Sequence, residues 1–361
     1  MKMSTIFRKT SGKSSSLPLA NAVGTGSLVL VVALSGYVSG GESAFATALL
    51  ITAYAFLFYL VRIFYCRIAS REYPKLADFL LAYVRKMGVF SLAVMLCGGI
   101  FTVYQNEIDP AKLPEYVISN GEKTVRFRAM AHIGSESFYN GVGDDLAAAR
   151  KDGYVLFYEG VRPGSPENTK KFDAMMGFKF DKDLYASMSK LYGLVPQNTA
   201  AIVGAPGPDD RNVDLGIDEI VANFEKRRGA VSGEPSVSPP SPETEGVTEE
   251  FSKEIAAYAN SLAPRELATV RYLNRAIMSL VIKNRDASAA AFAGLGKADL
   301  FSSILDDRNK VIVDAITSTD QKKIFITYGL LHFDGVFDQL QEKDHRWKIS
   351  GPIRYRYPTL P

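Results

Sequence analysis

Two stretches in the middle of the chain have the hydrophobic patterns of β-strands, and a helical pattern lies between them. From residue 125 the sequence VRFRAMAH alternates, with Val125 and Phe127 on one side and arginines on the other, which is the period of a strand. Residues 154–161, YVLFYEGV, are nearly all apolar, as expected for a strand that is covered on both faces. The helix between them predicts a crossover that joins two parallel strands.

A polar residue with catalytic potential ends each of these strands. His132 ends the first strand and Glu159 ends the second. Because the carboxyl ends of parallel strands lie at one edge of a sheet, where ligands bind, we expect the two side chains to meet there. A third apolar run, 323–333, predicts a strand that carries His332 and is followed by a turn at 334–335. A single histidine at a strand end is most often structural. Here two of the chain's three histidines are predicted at strand ends, which favours a functional site.

The amino-terminal third has a different pattern. Three uncharged, apolar runs lie within 14–41, 43–61 and 87–104, and each is close to the roughly 20 residues that cross a bilayer. We predict three transmembrane helices, with a cleaved secretory signal as the alternative for the first. Residues 76–84 have an apolar helical face, which predicts either a helix on the membrane surface or an extension of the third span.

Charge predicts the orientation. The loop at 62–86 carries six basic residues, whereas the opposite side offers only three acidic ones, so the loop and the amino terminus should be cytoplasmic. We therefore predict a basic cytoplasmic tail at 1–13, a membrane region at 14–109 of the inner or plasma membrane, and an extracytoplasmic domain, periplasmic or extracellular, at 110–361.

Charge and cysteine content exclude some functions for the domain at 110–361. Up to Asp109 there are ten Lys or Arg against five acids, which leaves 32 basic against 34 acidic residues and no basic field for nucleic acid. Both cysteines, Cys66 and Cys97, belong to the membrane region, so no disulfide framework is expected. Residues 229–250 are rich in Pro, Ser, Gly and Glu and predict a flexible insertion.

Histidine and glutamate at one edge of a sheet would suit hydrolytic chemistry. Neutral imidazoles and a carboxylate bind a divalent metal, and a His and Glu pair can also polarise water directly. The residues lie far apart in the sequence and lack the tight spacing of an HExxH motif, so the spacing alone leaves both options open.

Four short motifs together resemble a known family. The runs MAHIGSESFY, FYEGV, DDRN and YGLLHFDGVFDQL resemble the TraB/TIKI superfamily, which also takes in the erythromycin esterases and ChaN-like haem-binding proteins. That family has two distant GxxH motifs, a glutamate after the first, and an Arg-Asn pair before the second. The second motif matches as Gly329 to His332, and Gly335 also fits, but Ala129 replaces the first glycine. The resemblance covers about residues 120–350 apart from the insertion.

This resemblance implies both a fold and a set of roles. It implies an α+β domain with a central mixed, partly parallel sheet flanked by helices. It implies that His132, Glu159 and His332 bind a divalent metal (Zn, Mn or Co) or polarise water, with Glu159 as ligand or general base. Arg308 would then stabilise negative charge on the substrate, with Asn309 orienting it; a surface ion pair and a helix cap are the alternative. A second DDRN, at 209–212, lies in a Gly/Pro loop and is therefore set aside.

Our leading hypothesis is a membrane-anchored, metal-assisted hydrolase, resembling a metallopeptidase, that cuts a peptide or a related amide or ester outside the cytoplasm. The alternative is a non-catalytic membrane protein that binds or sequesters a peptide, haem or metal. A third interpretation makes the insertion a recruitment segment. The sequence predicts the lipid bilayer and a peptide or small-molecule substrate as partners, and it gives no oligomeric state.

Overall fold

The computed structural model describes residues 16–176, 179, 182–232, 253–285 and 298–360. The chain divides into two compact units, Met1–Phe101 and Thr102–Pro361. The predicted tail at 1–13 lies outside the described residues, as do residues 233–250 of the predicted insertion. Residues 229–232 of that insertion continue a helix instead.

The first unit is built from long apolar helices: α1 Ser16–Ser39, α2 Gly41–Ile68 and most of α3 Leu76–Val103. Three helical stretches, the last of them extending to Ile108, are long and apolar enough to cross a membrane, which agrees with the predicted membrane association. Residues 76–84 belong to α3, so they continue the third apolar helix, as one of the two predicted alternatives has it. A Cβ at Gly88 of α3 would overlap the backbone of Gly24 in α1, so the glycine at 88 lets α1 and α3 pack closely.

The second unit combines helices with eight short strands among its described residues. A π-helical turn, Tyr104–Ile108, follows α3. The remaining helices are α4 Glu136–Lys151, α5 Pro166–Met176, α6 Lys182–Tyr192, α7 Thr199–Val203, α8 Ile217–Ser232, α9 at 253–261, α10 Pro264–Lys283, α11 Ala298–Ser318 and α12 Phe333–Lys343. The strands are β1 Glu115–Ser119, β2 Thr124–Met130, β3 Ile133–Gly134, β4 Val155–Tyr158, β5 Val195–Pro196, β6 Arg211–Asn212, β7 Lys323–Gly329 and β8 Lys348–Ile349.

Six of these strands form one mixed sheet in the order β6-β4-β7-β2-β1-β8. The four strands β6, β4, β7 and β2 are parallel, while β1 pairs antiparallel with β2 and β8. The predicted crossover is confirmed, since β2 and β4 run parallel on either side of β7 and α4 connects them. The predicted α+β class with a mixed, partly parallel sheet is confirmed at this level.

Helices cover both faces of the sheet, and alternate residues of the central strands point to opposite layers. Ile324 and Ile326 of β7 pack with apolar residues of α11 and α12, whereas Phe325 between them packs with Leu146 of α4. All three β7 residues are fully buried, and burying a side chain of this size contributes about 1.5–3 kcal/mol. The two-sided core therefore holds the ends of β4 and β7 in register.

Some predicted elements differ from the structure. The predicted strand at 323–333 ends at Gly329, because Leu330–His332 forms a 3₁₀ turn and α12 begins at Phe333. Residues 334–335, predicted as a turn, are the first turn of that helix. A continuous apolar run such as GLLHF carries no period that separates strand from helix, which explains the error.

Candidate functional site

The site lies at the carboxyl edge of the four parallel strands. Glu159 directly follows β4, and the 3₁₀ turn with His332 directly follows β7. Asp214 lies two residues after β6, and His132 lies two residues after β2. Four neighbouring strands in the order β6-β4-β7-β2 therefore each bring one side chain to this edge.

Glu159 is buried and held by two donors. Its Oε1 accepts a hydrogen bond from Nη2 of Arg308 at 2.5 Å, and its Oε2 accepts one from the backbone N–H of Gly329 at 2.8 Å. The backbone of Glu159 also donates to the carbonyl of Thr327 in the neighbouring strand at 3.0 Å. Since a carboxylate offers about four lone-pair positions, Glu159 can still accept from a water or a substrate.

Arg308 is buried between two carboxylates. Its Nε and Nη2 donate to the two oxygens of Asp214 at 2.7 and 2.8 Å, and the ring of Tyr328 lies 5.2 Å from Cζ. Burial by itself lowers the pKa of Arg308, but Glu159 and Asp214 outweigh it and raise the pKa above its ordinary value. The guanidinium is therefore permanently charged, and Nη1 forms no hydrogen bond with the residues described.

Asn309 fixes the second histidine. Nδ1 of His332 lies 2.7 Å from Oδ1 of Asn309, and because an amide oxygen only accepts, Nδ1 carries the proton. Burial, reinforced by the positive charge of Arg308 and by His132, holds the pKa of His332 well below its ordinary value. His332 is therefore a neutral imidazole at pH 7, and Nε2 keeps its lone pair with no hydrogen-bond partner among the described side chains. Arg308 and Asn309 are both buried, so the alternative of a surface ion pair and a cap is wrong.

Two glycines make room for these groups. A Cβ at Gly329 would lie 3.4 Å from Cδ2 of His332 and 3.5 Å from Oε2 of Glu159, so the two functional groups flank this residue. A Cβ at Gly335 would overlap the amide nitrogen of Asn309. Gly335 therefore allows the first turn of α12 to pack against the side chain that orients His332.

His132 lies in the same cavity but in a looser environment. Its side chain is exposed and forms no hydrogen bond within the described part of the chain, although its ring lies 5.8 Å from that of Tyr185. Its carbonyl accepts from the backbone N–H of Gln197 at 2.8 Å, which holds the backbone. Burial and the nearby Glu159 raise the pKa of Tyr185 to about 12, so its phenol stays protonated beside the site.

His132, Glu159, Arg308 and His332 all line one cavity of about 340 Å³. Its polar lining is His132, Glu159, Gln197, Arg285, Arg308 and His332. Its apolar lining is Leu113, Met130, Ala131, Val281, Ile282, Ile304, Leu305, Leu330 and Leu331. This volume would hold a small substrate or one segment of a larger one. The cavity therefore brings the three predicted metal ligands and Arg308 together, with Asn309 directly behind His332.

The donor set does not favour a metal in this arrangement. Among the residues that the structure describes, no three His, Cys, Asp or Glu side chains are grouped closely enough to hold an ion. A neutral imidazole is a good ligand, but Glu159 is already engaged by Arg308 and by Gly329. A metal between His132, Glu159 and His332 would require Glu159 to leave Arg308. The predicted divalent metal therefore stays a prediction.

Sequence reasoning missed three residues of the site. Asp214 anchors Arg308 and also accepts from the backbone N–H of Gly160 at 3.1 Å. Its signal was an acidic residue just after the earlier DDRN, whose Arg211 and Asn212 form β6. Tyr185 and Arg285 come from helices and gave no local signal. Arg285 donates to the Tyr116 hydroxyl and to Asp334, both at 2.9 Å, at the rim of the cavity.

We compared the chain with protein-family models, with curated proteins and with solved structures, and none of the three comparisons found a match. The resemblance to the TraB/TIKI superfamily therefore stays a prediction that rests on the four motifs.

Proposed function

We propose that this protein is a membrane-anchored hydrolase of the TraB/TIKI type that cleaves an ester or amide bond of a peptide or related substrate outside the cytoplasm. One observation carries this proposal: a neutral, oriented imidazole and a charged guanidinium lie with Glu159 around a single cavity. The basic loop at 62–86 supports the orientation.

His332 is suited to be the general base. Because Nδ1 donates to Asn309, the lone pair of Nε2 can take a proton from a water molecule as that water attacks the carbonyl carbon. Glu159 would orient this water through a free lone pair. The imidazolium would then pass the proton to the leaving oxygen or nitrogen as the bond to the carbonyl carbon breaks.

Arg308 is suited to stabilise the transition state. Two of its nitrogens are fixed by Asp214 and Glu159, which leaves Nη1 to donate to the oxygen that becomes negative during attack. A charged donor held in place beforehand needs little reorganisation during the reaction. Asp214 thus acts through Arg308, as a positioning residue.

The test is Glu159→Gln in the full chain, assayed with a panel of peptides and aryl esters. Glutamine keeps the shape and can accept from Gly329, but its NH2 group then faces the Nη2 donor of Arg308, so Arg308 loses one of its two anchors and we expect turnover to fall by roughly 10²–10³-fold. Glu342→Gln, at an exposed position of α12, is the matched control and should keep full activity. Full activity of Glu159→Gln would refute the proposal.

The metal prediction is tested with the same assay. A metal-assisted enzyme would lose activity with a chelator and regain it with Zn, Mn or Co, whereas water activation by His332 alone would be insensitive to the chelator. Metal analysis of the purified protein separates the two mechanisms without relying on activity.

A second candidate is a binding protein that captures a peptide, haem or metal without chemistry. The mainly apolar cavity wall and the unconstrained His132 ring favour it. Tight retention of haem or of a hydrophobic peptide, with no turnover of any substrate in the panel, would support this function.

A further inference from the structure

An exposed apolar strip lies on α10. It consists of Leu273, Ile277, Leu280 and Val281, which are between 41% and 53% exposed. Their spacing places them on one helical face. Contiguous exposed apolar side chains on a helix are a usual sign of contact with a membrane or a partner.

The π-helical turn Tyr104–Ile108, which follows α3 in the chain, is bound to this helix. The side chain of Asn106 donates to the carbonyl of Tyr272 at 2.8 Å, and Oε1 of Gln105 accepts from Nζ of Lys283 at 2.9 Å. Both residues of the turn are buried. Tyr272 and Lys283 therefore join α10 to the turn in which the third apolar stretch ends.

Charge locates that segment at the bilayer surface. Residues 87–106 carry no charge, between Lys86 on one side and Glu107 on the other. A helix of this length covers about 30 Å, which is the thickness of the hydrocarbon core. Gln105 and Asn106 should therefore lie at the edge of the core, and the bound α10 should lie in the interface.

The same helix lines the cavity. Val281, which belongs to the strip, and Ile282 both line it, together with Leu305 and Leu330. The wall of the cavity is thus continuous with the exposed strip. A hydrocarbon chain could pass along this wall without contact with water, while a carbonyl group reached His332 and Arg308.

We propose that the α10 strip lies in the bilayer interface and that the cavity takes its substrate from the membrane. The substrate class is an amphiphile, whose hydrocarbon part lies against the apolar wall and whose ester or amide bond is hydrolysed. This inference rests on the proposed function for its chemistry, but the bilayer contact stands on the geometry of α10.

The bilayer contact is tested by spin labels on the full chain in phosphatidylcholine and phosphatidylglycerol vesicles. Cys66→Ala and Cys97→Ala remove the native thiols, and single cysteines replace Leu273, Ile277 or, as the control, Glu342, which is exposed on α12. We expect labels at 273 and 277 to collide with oxygen far more than with a water-soluble nickel chelate, and the label at 342 to do the reverse. Equal access of the nickel chelate to all three would overturn the inference, as would cross-linking of two copies through residue 277.

The substrate class is tested with p-nitrophenyl acetate and p-nitrophenyl decanoate in the same vesicles. We expect kcat/KM for decanoate to exceed that for acetate by at least tenfold, and Ile277→Asp to remove this preference while acetate hydrolysis is retained. Glu342→Gln, on α12, should change neither. Equal turnover of both esters, with the labels in lipid, would overturn the substrate class. If neither ester is hydrolysed but peptides of the panel are, the substrate class is overturned. If no substrate of either kind is hydrolysed, the proposed function fails, and the spin labels alone then decide the bilayer contact.

Discussion

Two histidines follow neighbouring parallel strands of one sheet, yet their environments differ. His332 is buried, donates to Asn309 and lies with its ring edge to face against Tyr328 at 4.7 Å. His132 is exposed, and among the described residues its ring has only the aromatic contact with Tyr185. The same position at a strand end thus produces one fixed side chain and one adjustable side chain.

The difference comes from what packs against each strand end. α11 supplies Arg308 and Asn309 behind β7, and α12 begins directly after His332, so that side is enclosed by two helices. His132 instead enters a short connection to the two-residue strand β3. Pre-organisation is therefore concentrated on the side of His332, and we infer that the chemistry is too.

We call Glu159, Arg308, Asn309 and His332 the fixed side of the site. Removing Arg308, the central residue of this group, should have the largest effect. Arg308→Ala leaves Glu159 and Asp214 buried without their counter-charge, which should lower the free energy of unfolding by about 3–5 kcal/mol and abolish activity. The chain's single tryptophan, Trp347, is buried in the core that α11 and α12 form with the sheet, so its fluorescence in urea reports unfolding of this unit. Arg346→Ala breaks exposed ion pairs and is the control. Equal effects of the two variants would contradict our view of the site.

The two histidines can be compared directly. We expect His332→Gln to lower kcat by roughly 10²–10⁴-fold, because the lone pair of the oriented base is lost. His132→Gln should change mainly KM, and by less than tenfold, since the ring of His132 is held by no hydrogen bond to a described residue. Steady-state kinetics of both variants on one substrate decide the matter. Equal losses in kcat would instead favour a shared role, such as metal binding.

The sequence predicted the strand–helix–strand unit, the three long apolar helices and the edge of the sheet where polar groups meet. Alternation in β2 and the apolar run of β4 are local signals, and the position of His132 and Glu159 follows from the parallel direction of these strands. The difference between the two histidines was not predictable, because it depends on burial by helices distant in sequence. Asp214 was missed for the same reason: its role appears only when β6 pairs with β4.

The orientation of His332 can be disturbed without substituting any functional side chain. Gly335→Ala introduces a Cβ that overlaps the amide of Asn309, so Asn309 must move and His332 loses its orientation. We expect activity to fall by roughly tenfold or more. Gly143→Ala in α4, where a Cβ meets nothing within 4 Å, is the control and should leave activity unchanged. Unchanged activity of Gly335→Ala would mean that the orientation of His332 has little effect on turnover.

The smallest effect is a dependence of the free energy of unfolding on pH, which comes from His332 of the fixed side. Burial holds the pKa of His332 well below the value of about 6.5 that it has in the unfolded chain. As the pH falls below about 6.5, His332 therefore binds a proton in the unfolded chain but not in the folded chain, and the free energy of unfolding decreases. Above this pH the imidazole is neutral in both states and contributes no pH dependence. Urea unfolding of the full chain between pH 7.5 and pH 5, followed by the fluorescence of Trp347, should thus show a steeper loss of stability for the native protein than for His332→Gln. Parallel curves would mean that His332 can take up a proton in the folded protein, and the two histidines would then be more alike than their burial indicates.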